Sequence, residues 1–404
     1  MPKKYYELTP DERLASLNLD EQTVQAWHAN QSTTNAQIVE NYISDFRVPM
    51  GVLKDIIVAD RHVTVPMATE EPSVIAAANH GAKLLNQGGG VTVRLPERTA
   101  LIGQLLFSGV AYDELAAFVA RQQAAFFTVA QEAKPSIYRR GGGLLSVTAR
   151  AVSATSVSVD FAIDTRDAMG ANIVNTILEA EQALFADFQA QFVGAILSNY
   201  ATAQCVTVTG RVPITSIGGQ VVANRLVQLN QFGHQDVYRA TTENKGLFNG
   251  IGAVTLATGN DWRAVEAAGH AFASQSGRYQ SLTTWTIDGD FLAGQLTMPI
   301  SVGTVGGAIS AMPQAQRALA IVAPQTADEL RGIILAVGLA QNLAALKAIA
   351  DGGIQKGHMK MHYRALALQV GAHDDEIATL VTQLQAAAQV DAAVATNLLR
   401  EMRK

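Results

Sequence analysis

Four polar residues sit where acid–base or oxyanion chemistry would want them. Glu71 ends the run Thr69-Glu70-Glu71 before Pro72-Ser73, and Lys245 stands in Asn244-Lys245-Gly246. Asp261 lies in Gly259-Asn260-Asp261-Trp262, and His358 precedes His362 by four residues. A carboxyl group can move a proton, an ammonium can sit against a developing negative charge, and an imidazole changes charge near neutrality. Each also has a purely structural reading. Glu71 before a proline-initiated helix is an end-of-helix charge, Lys245 a turn lysine, and Asp261 an N-cap for the helix after it. His358 and His362 have the spacing of metal ligands on one helix face. Met359-Lys360-Met361 between them lacks the glutamate of a zinc-protease helix and no third ligand is evident, so no metal is expected.

Phosphate-binding loops are absent from the sequence. Gly250-Ile251-Gly252-Ala253-Val254-Thr255 begins like a dinucleotide fingerprint, but Thr255 replaces the third glycine and no acidic residue follows at the distance a second strand would give. No Walker sequence occurs. A Rossmann domain is therefore not expected, and any nicotinamide cofactor must be held in another way.

These residues need elements to carry them. The 404 residues are too many for one ordinary core, and 48% hydrophobic against 16% charged content argues for extensive burial. A net charge of −5 gives no basic face for nucleic acid. The single cysteine, Cys205, rules out an intramolecular disulfide and a cysteine-based zinc site, and suits a reducing, cytoplasmic compartment. The first fifteen residues have no apolar core or cleavage site, so no signal peptide is expected there. Gly332–Ala350 is long enough to span a membrane, but it carries Gln341, Asn342 and Lys347 and reads as a buried helix.

Thr9-Pro10-Asp11-Glu12 and Thr326-Ala327-Asp328-Glu329 are capping boxes, so helices start at both. The second should end at Gly352-Gly353. A helix is expected over 72–85, stopped by Gly88-Gly89-Gly90, and another over 112–131. After Gly141-Gly142-Gly143, the alternation over 145–163 predicts two strands about a turn, followed by a helix over 168–189. This order suggests a compact α+β insertion, and 359–404 reads as a small helical appendage.

Four segments in order along the chain resemble the bacterial, class II 3-hydroxy-3-methylglutaryl-CoA (HMG-CoA) reductases. They are Thr69–Ser73; Asp164-Thr165-Arg166-Asp167-Ala168-Met169-Gly170-Ala171-Asn172; Glu243–Gly246 with Ala257–Arg263; and Gln355-Lys356-Gly357-His358-Met359. Pro299–Gly307 and Gly338–Asn342 match as well. The resemblance implies an α+β fold with a large mixed substrate-binding domain (1–97 and 200–353). It also implies an inserted small, non-Rossmann, ferredoxin-like cofactor domain (98–199) and a C-terminal helical flap (354–404).

It further implies reduction of HMG-CoA to mevalonate and CoA with two molecules of nicotinamide cofactor, as part of isoprenoid biosynthesis. Glu71 becomes the general acid, Lys245 the oxyanion cation, Asp261 the partner of Lys245, and His358 the proton donor to the leaving thiolate. Arg239 would grip the substrate carboxylate, with Ser73, Asn249 and Gln341 hydrogen-bonding substrate and Arg13 near the CoA nucleotide. Asp167, Met169, Gly170, Ala171 and Asn172 fall on the cofactor side. NAD-preferring members carry an aspartate seven residues before the Gly-Gly-Gly turn; here that position is Lys134, which implies NADPH, with NADH as the alternative. A homodimer or an assembly of dimers is implied, with no membrane or nucleic-acid partner. One departure is Ser44 after Glu40-Asn41-Tyr42-Ile43, where the family commonly has glycine. Two other readings remain: the same fold run as mevalonate oxidation, and a non-catalytic acyl-CoA-binding homologue.

Overall fold

The computed structural model describes residues 3–353, 363–387 and 390–403. Compactness divides the chain into two units, Met1–Met50 and Gly51–Lys404. The first unit carries α1 (Pro10–Ser16) and α2 (Glu21–His28). Thr9 Oγ1 accepts from Glu12 N, and Glu12 accepts from Thr9 N, which satisfies two of the donors that a helix start leaves open. Arg13 is buried and donates to the carbonyls of Tyr5, Tyr6 and Tyr42. Three of its five N–H donors therefore serve this unit's own backbone.

The second unit, from Gly51 on, is a mixed α+β structure. It opens with β1 (Met50–Val58), β2 (Arg61–Ala68), α3 (Val74–Gln87) and β3 (Val91–Arg94). A middle stretch follows: β4 (Leu101–Ser108), α4 (Tyr112–Arg121), α5 (Gln123–Ala133), α6 (Pro135–Tyr138), β5 (Gly143–Ala151), β6 (Ser156–Asp164), α7 (Ala171–Glu181) and β7 (Phe192–Ser198). Then come β8 (Cys205–Pro213), α8 (Gln220–Gln235), α9 (Val237–Ala257), α10 (Trp262–Ala273), β9 (Thr283–Asp288), β10 (Phe291–Pro299), α11 (Pro313–Val322) and α12 (Ala327–Ala350). The described C-terminal residues form α13 (363–369), α14 (Asp374–Ala386) and α15 (Ala392–Met402), with a small core of their own around Leu380, Leu384 and Leu399.

Two sheets organise this unit. One has the order β2-β1-β3-β8-β10-β9; the other, β5-β6-β4-β7, is antiparallel throughout and places β6 between β4 and β5. Each has its own core. The larger gathers α3, α8, α9 and α12 on its sheet, and the smaller packs α4, α5 and α7 through Phe107, Phe126, Phe161 and Phe185. α12 is long and apolar enough to cross a membrane, but 78% of that window is buried, so it is the central helix of the larger core. Thr326 caps it, whereas Glu329 accepts from Gln325 N rather than from Thr326.

Several sequence expectations shift. The helix over 112–131 is two helices, broken at Gln122, whose backbone leaves the helical region. The helix over 168–189 starts only at Ala171, after a left-handed Gly170 (φ 102°), and tightens to a 3₁₀ turn over Gln182–Phe188. The Gly250-Ile251-Gly252 run lies inside α9 and makes no loop at all.

Glu181, at the end of α7, is wholly buried, and neither carboxylate oxygen has a hydrogen-bond partner. Burial pushes its carboxyl up to about 8, with only the Ala130 backbone opposing. Below that pH the folded chain keeps a proton that the unfolded chain releases near 4.5. Stability should therefore fall as pH rises from 4.5 to about 8, by up to about 1.4 kcal/mol per unit. Glu181→Gln should flatten that decline. Urea unfolding of both proteins between about pH 5 and pH 9 tests it, and parallel curves would refute a buried proton at Glu181.

Candidate active site

Glu71 lies in the turn between β2 and α3, and Lys245 lies mid-way along α9. Ser73 takes a left-handed conformation (φ 73°), so α3 begins at Val74 rather than at Pro72. Glu71 thus stands ahead of the first helical turn. Lys245 Nζ is 2.5 Å from Glu71 Oε2, and Asn249 Nδ2, one turn further along α9, donates to Oε1 at 3.3 Å. One carboxylate is held on both oxygens by two neighbouring side chains of one helix. Lys245 remains 60% exposed and Glu71 38%, so the pair is open to a ligand.

Lys245 takes Glu71 as its carboxylate in this chain, and Asp261 does not join them. Asp261 caps α10: its Oδ1 accepts from Arg263 N at 3.1 Å, Ala264 N at 3.2 Å and Arg263 Nε at 3.2 Å. The structural reading of this residue thus holds beside any catalytic one.

Gln341 on α12 packs against α9 at Gly250, next to Asn249. It is buried, and its Oε1 has no hydrogen-bond partner among the described residues, the condition of an acceptor that a ligand hydroxyl would satisfy. Ser73 Oγ donates to the Pro72 carbonyl. Arg239, at the start of α9, faces Glu243 one turn on, with Nη2 3.3 Å from Oε2. His358 and the segment 355–359 lie outside the described residues.

A cavity of about 680 Å³ lies beside Asp261. Met169, Gly170, Ala171 and Asn172 form one wall at the start of α7, and Lys134, Ser136 and Arg140 another. Asp261, Trp262 and Arg263 complete it. Backbone amides at a helix start and three cations around one cavity make a cradle for phosphates. Arg263 and Ser136 were not singled out from sequence. Their placement depends on α10 and α6 meeting α7, which nothing local announces.

Asp167 does not line this cavity. Its Oδ1 accepts from Ala327 N at 2.8 Å and its carbonyl from Thr304 N at 2.8 Å, so it pins the α7 approach to the start of α12. Asn260 does comparable work, bonding both the amide and the carbonyl of Gly303. Buried Arg331, paired to Asp328 and reaching the Val302 carbonyl, was also not legible; burial lowers its pKa.

Residues 9–363 match the hydroxymethylglutaryl-coenzyme A reductase family. The chain belongs to that family. The 3-hydroxy-3-methylglutaryl-coenzyme A reductase of Archaeoglobus fulgidus is 35% identical over 394 residues, covering 93% of this chain and 89% of its own. A probable reductase of the same name from Borreliella burgdorferi is 33% identical over 336 residues, covering 80% and 76%. Among solved structures, the class II reductase of Streptococcus pneumoniae bound to NADPH in open conformations superposes with a TM-score of 0.77 at 38% identity. It covers 97% of this chain and 99% of that one. Within the reductase family the chain is thus of the class II type.

Proposed function

We propose that this chain reduces HMG-CoA to mevalonate and CoA with NADPH, the substrate carbonyl lying against Lys245, Asn249 and Glu71. The observation that carries the reading is the Glu71–Lys245–Asn249 cluster in a member of this family. A carbonyl oxygen entering between Lys245 and Glu71 would meet a fixed cation, the Asn249 amide and a carboxyl group able to deliver a proton. Charge develops on that oxygen at each reduction, so Lys245 acts most strongly as the barrier is crossed. Gln341 offers an acceptor to the substrate hydroxyl, and Arg239 its guanidinium to the far carboxylate. His358 is assigned the proton for the departing thiolate on the resemblance alone. Asp261 lines the cavity beside α7 and would act from that side.

The cavity fits the cofactor on its own chemistry: Lys134, Arg140 and Arg263 would hold phosphates, and Met169–Asn172 would supply backbone amides. NADPH, when bound, supplies the hydride. The antiparallel β5-β6-β4-β7 order supports a ferredoxin-like cofactor domain over 98–199, inserted in the substrate-binding part (1–97 and 200–353). The helices over 363–402 support a flap spanning 354–404, hinged where Gly352 and Gly353 both turn left-handed. A homodimer acting in the cytoplasm completes the proposal.

Absorbance at 340 nm with HMG-CoA and each cofactor tests it, run in both directions so that mevalonate oxidation is measured too. Two cofactors consumed per HMG-CoA support the reductase; none would favour a binding homologue. NADPH should be preferred over NADH through KM. Lys134→Asp should then raise the KM for NADPH on the order of tenfold and narrow or invert the preference. Equal wild-type KM values would refute the preference, and an unchanged ratio in the variant would remove Lys134 from it.

A further inference from the structure

One buried carboxylate of the larger unit, held by three donors, belongs to a residue with no assigned role. Glu243 is 3% exposed and lies on α9 two residues before Lys245. Its Oε1 accepts from Asn230 Nδ2 at 2.8 Å, Ser281 Oγ at 2.9 Å and Thr283 Oγ1 at 3.2 Å. Three donors from α8 and the β9 edge therefore fix the rotation of the carboxylate. They are braced in turn: Asn230 Oδ1 accepts from Trp285 N, and Trp285 Nε1 donates to Asn342 on α12. The other oxygen, Oε2, is pressed against Gly233, where an added Cβ would stand 2.8 Å away. Oε2 has no hydrogen bond, and it faces the Arg239 guanidinium at 3.3 Å.

Arg239 is correspondingly under-used. Its side chain makes no hydrogen bond to any described residue, its buried Nε has no partner, and Glu243 is its one ionic contact among them. A planar guanidinium leaning on one fixed carboxylate oxygen keeps most of its donors for a second carboxylate. A merely structural pair would be expected to close into the two-point arrangement that such groups favour.

We propose that Glu243 is a positioning residue for substrate: it holds Arg239 by one contact, so that the guanidinium is preset for the carboxylate end of the acyl-CoA. This rests on the reductase reading and on Arg239 as the carboxylate partner. Glu243 does not touch substrate. It sets the direction of a cation that does, and its three donors come from the elements that carry α9, so that cation and Lys245 share one reference.

The test measures KM and kcat for HMG-CoA in the wild type, Glu243→Gln, Arg239→Ala and the double variant. It also measures inhibition by a CoA thioester whose terminal carboxylate is replaced by a methyl group. Glu243→Gln should raise the KM for HMG-CoA on the order of tenfold, with kcat and the KM for NADPH little changed. In the Arg239→Ala background it should add nothing further, and binding of the methyl thioester should be unaffected. If Glu243→Gln does not fold, Glu243→Asp keeps the charge but withdraws it by one carbon and should show the same selective rise. A loss spread equally over both ligands, or an undiminished effect in the Arg239→Ala background, would overturn the positioning role. An Arg239→Ala protein with wild-type KM would remove its premise while leaving the reductase activity of the wild type intact, so the two failures are told apart.

Discussion

Lys245→Ala is expected to lower turnover of HMG-CoA by about three orders of magnitude while leaving its binding within a few-fold of wild type. The reason lies in when the charge is needed. In the free protein Nζ sits on Glu71 Oε2, so its charge is already balanced and contributes little to holding a neutral thioester. Once an oxyanion forms beside it, no other cation on α9 can replace it: Arg239 is six residues away and turned to Glu243. Lys245→Arg, which keeps the charge but not the point-like ammonium, should recover only part of the rate. Rapid-quench turnover and equilibrium binding separate the two quantities. A Lys245→Ala protein keeping a tenth or more of the wild-type rate would remove the lysine from the oxyanion role.

Gly81→Ala should have the largest effect on stability, about 3 kcal/mol or more. Gly81 is where α3 meets α12: a Cβ there would run into the carbonyl oxygen of Ala340 and stand 2.6 Å from its carbon, so backbone rather than a flexible side chain must yield. The two helices would have to separate, and Glu71 stands in the turn that leads into α3. Activity should therefore fall even in the fraction that stays folded. Gly246→Ala on α9 provides the contrast, because nothing lies within 4 Å of its Cβ. That change should stabilise by up to about 1 kcal/mol, since it only reduces the freedom of the unfolded chain. Urea unfolding of both variants decides the matter, and a Gly81→Ala midpoint equal to wild type would refute the close-contact reading.

The parts of the fold that sequence made legible are those with local causes. Thr9 and Thr326 cap the helices they precede because a hydroxyl and an amide three residues on are within reach whatever the rest of the chain does. The strand pair over 143–164 and the glycine end of α12 follow from patterns of similarly short range. The helix start before Ala171 was misplaced because Gly170 turns left-handed just where the apolar periodicity already looks helical.

For the site, motif order located Glu71, Lys245 and Asn249, but which carboxylate meets Lys245 depends on α3 docking beside α9, 174 residues apart in sequence. Asp261 shows the opposite case. Its local capping bonds, two and three residues away, were visible in the Gly-Asn-Asp-Trp context and are what the chain forms. The Glu243 cluster draws on Asn230, Ser281 and Thr283 at separations of 13 to 40 residues, and no spacing rule reports such a meeting.

α12 touches α3 at Ala340, α9 at Gln341 and, through Ala327, the residue that pins the approach to the cavity at the start of α7. In a machinist's vocabulary it is the datum from which the other parts are gauged. Parts gauged from one datum keep their mutual tolerances when each shifts a little, but an error in the datum is copied into all of them. Drift in α12 is therefore not a local event, and the Glu71–Lys245 pair and the cavity at the start of α7 cannot be retuned one at a time from within it. Adjustment of one alone has to come from pieces mounted elsewhere, as Lys134 and Arg140 are on the α5–α6 corner.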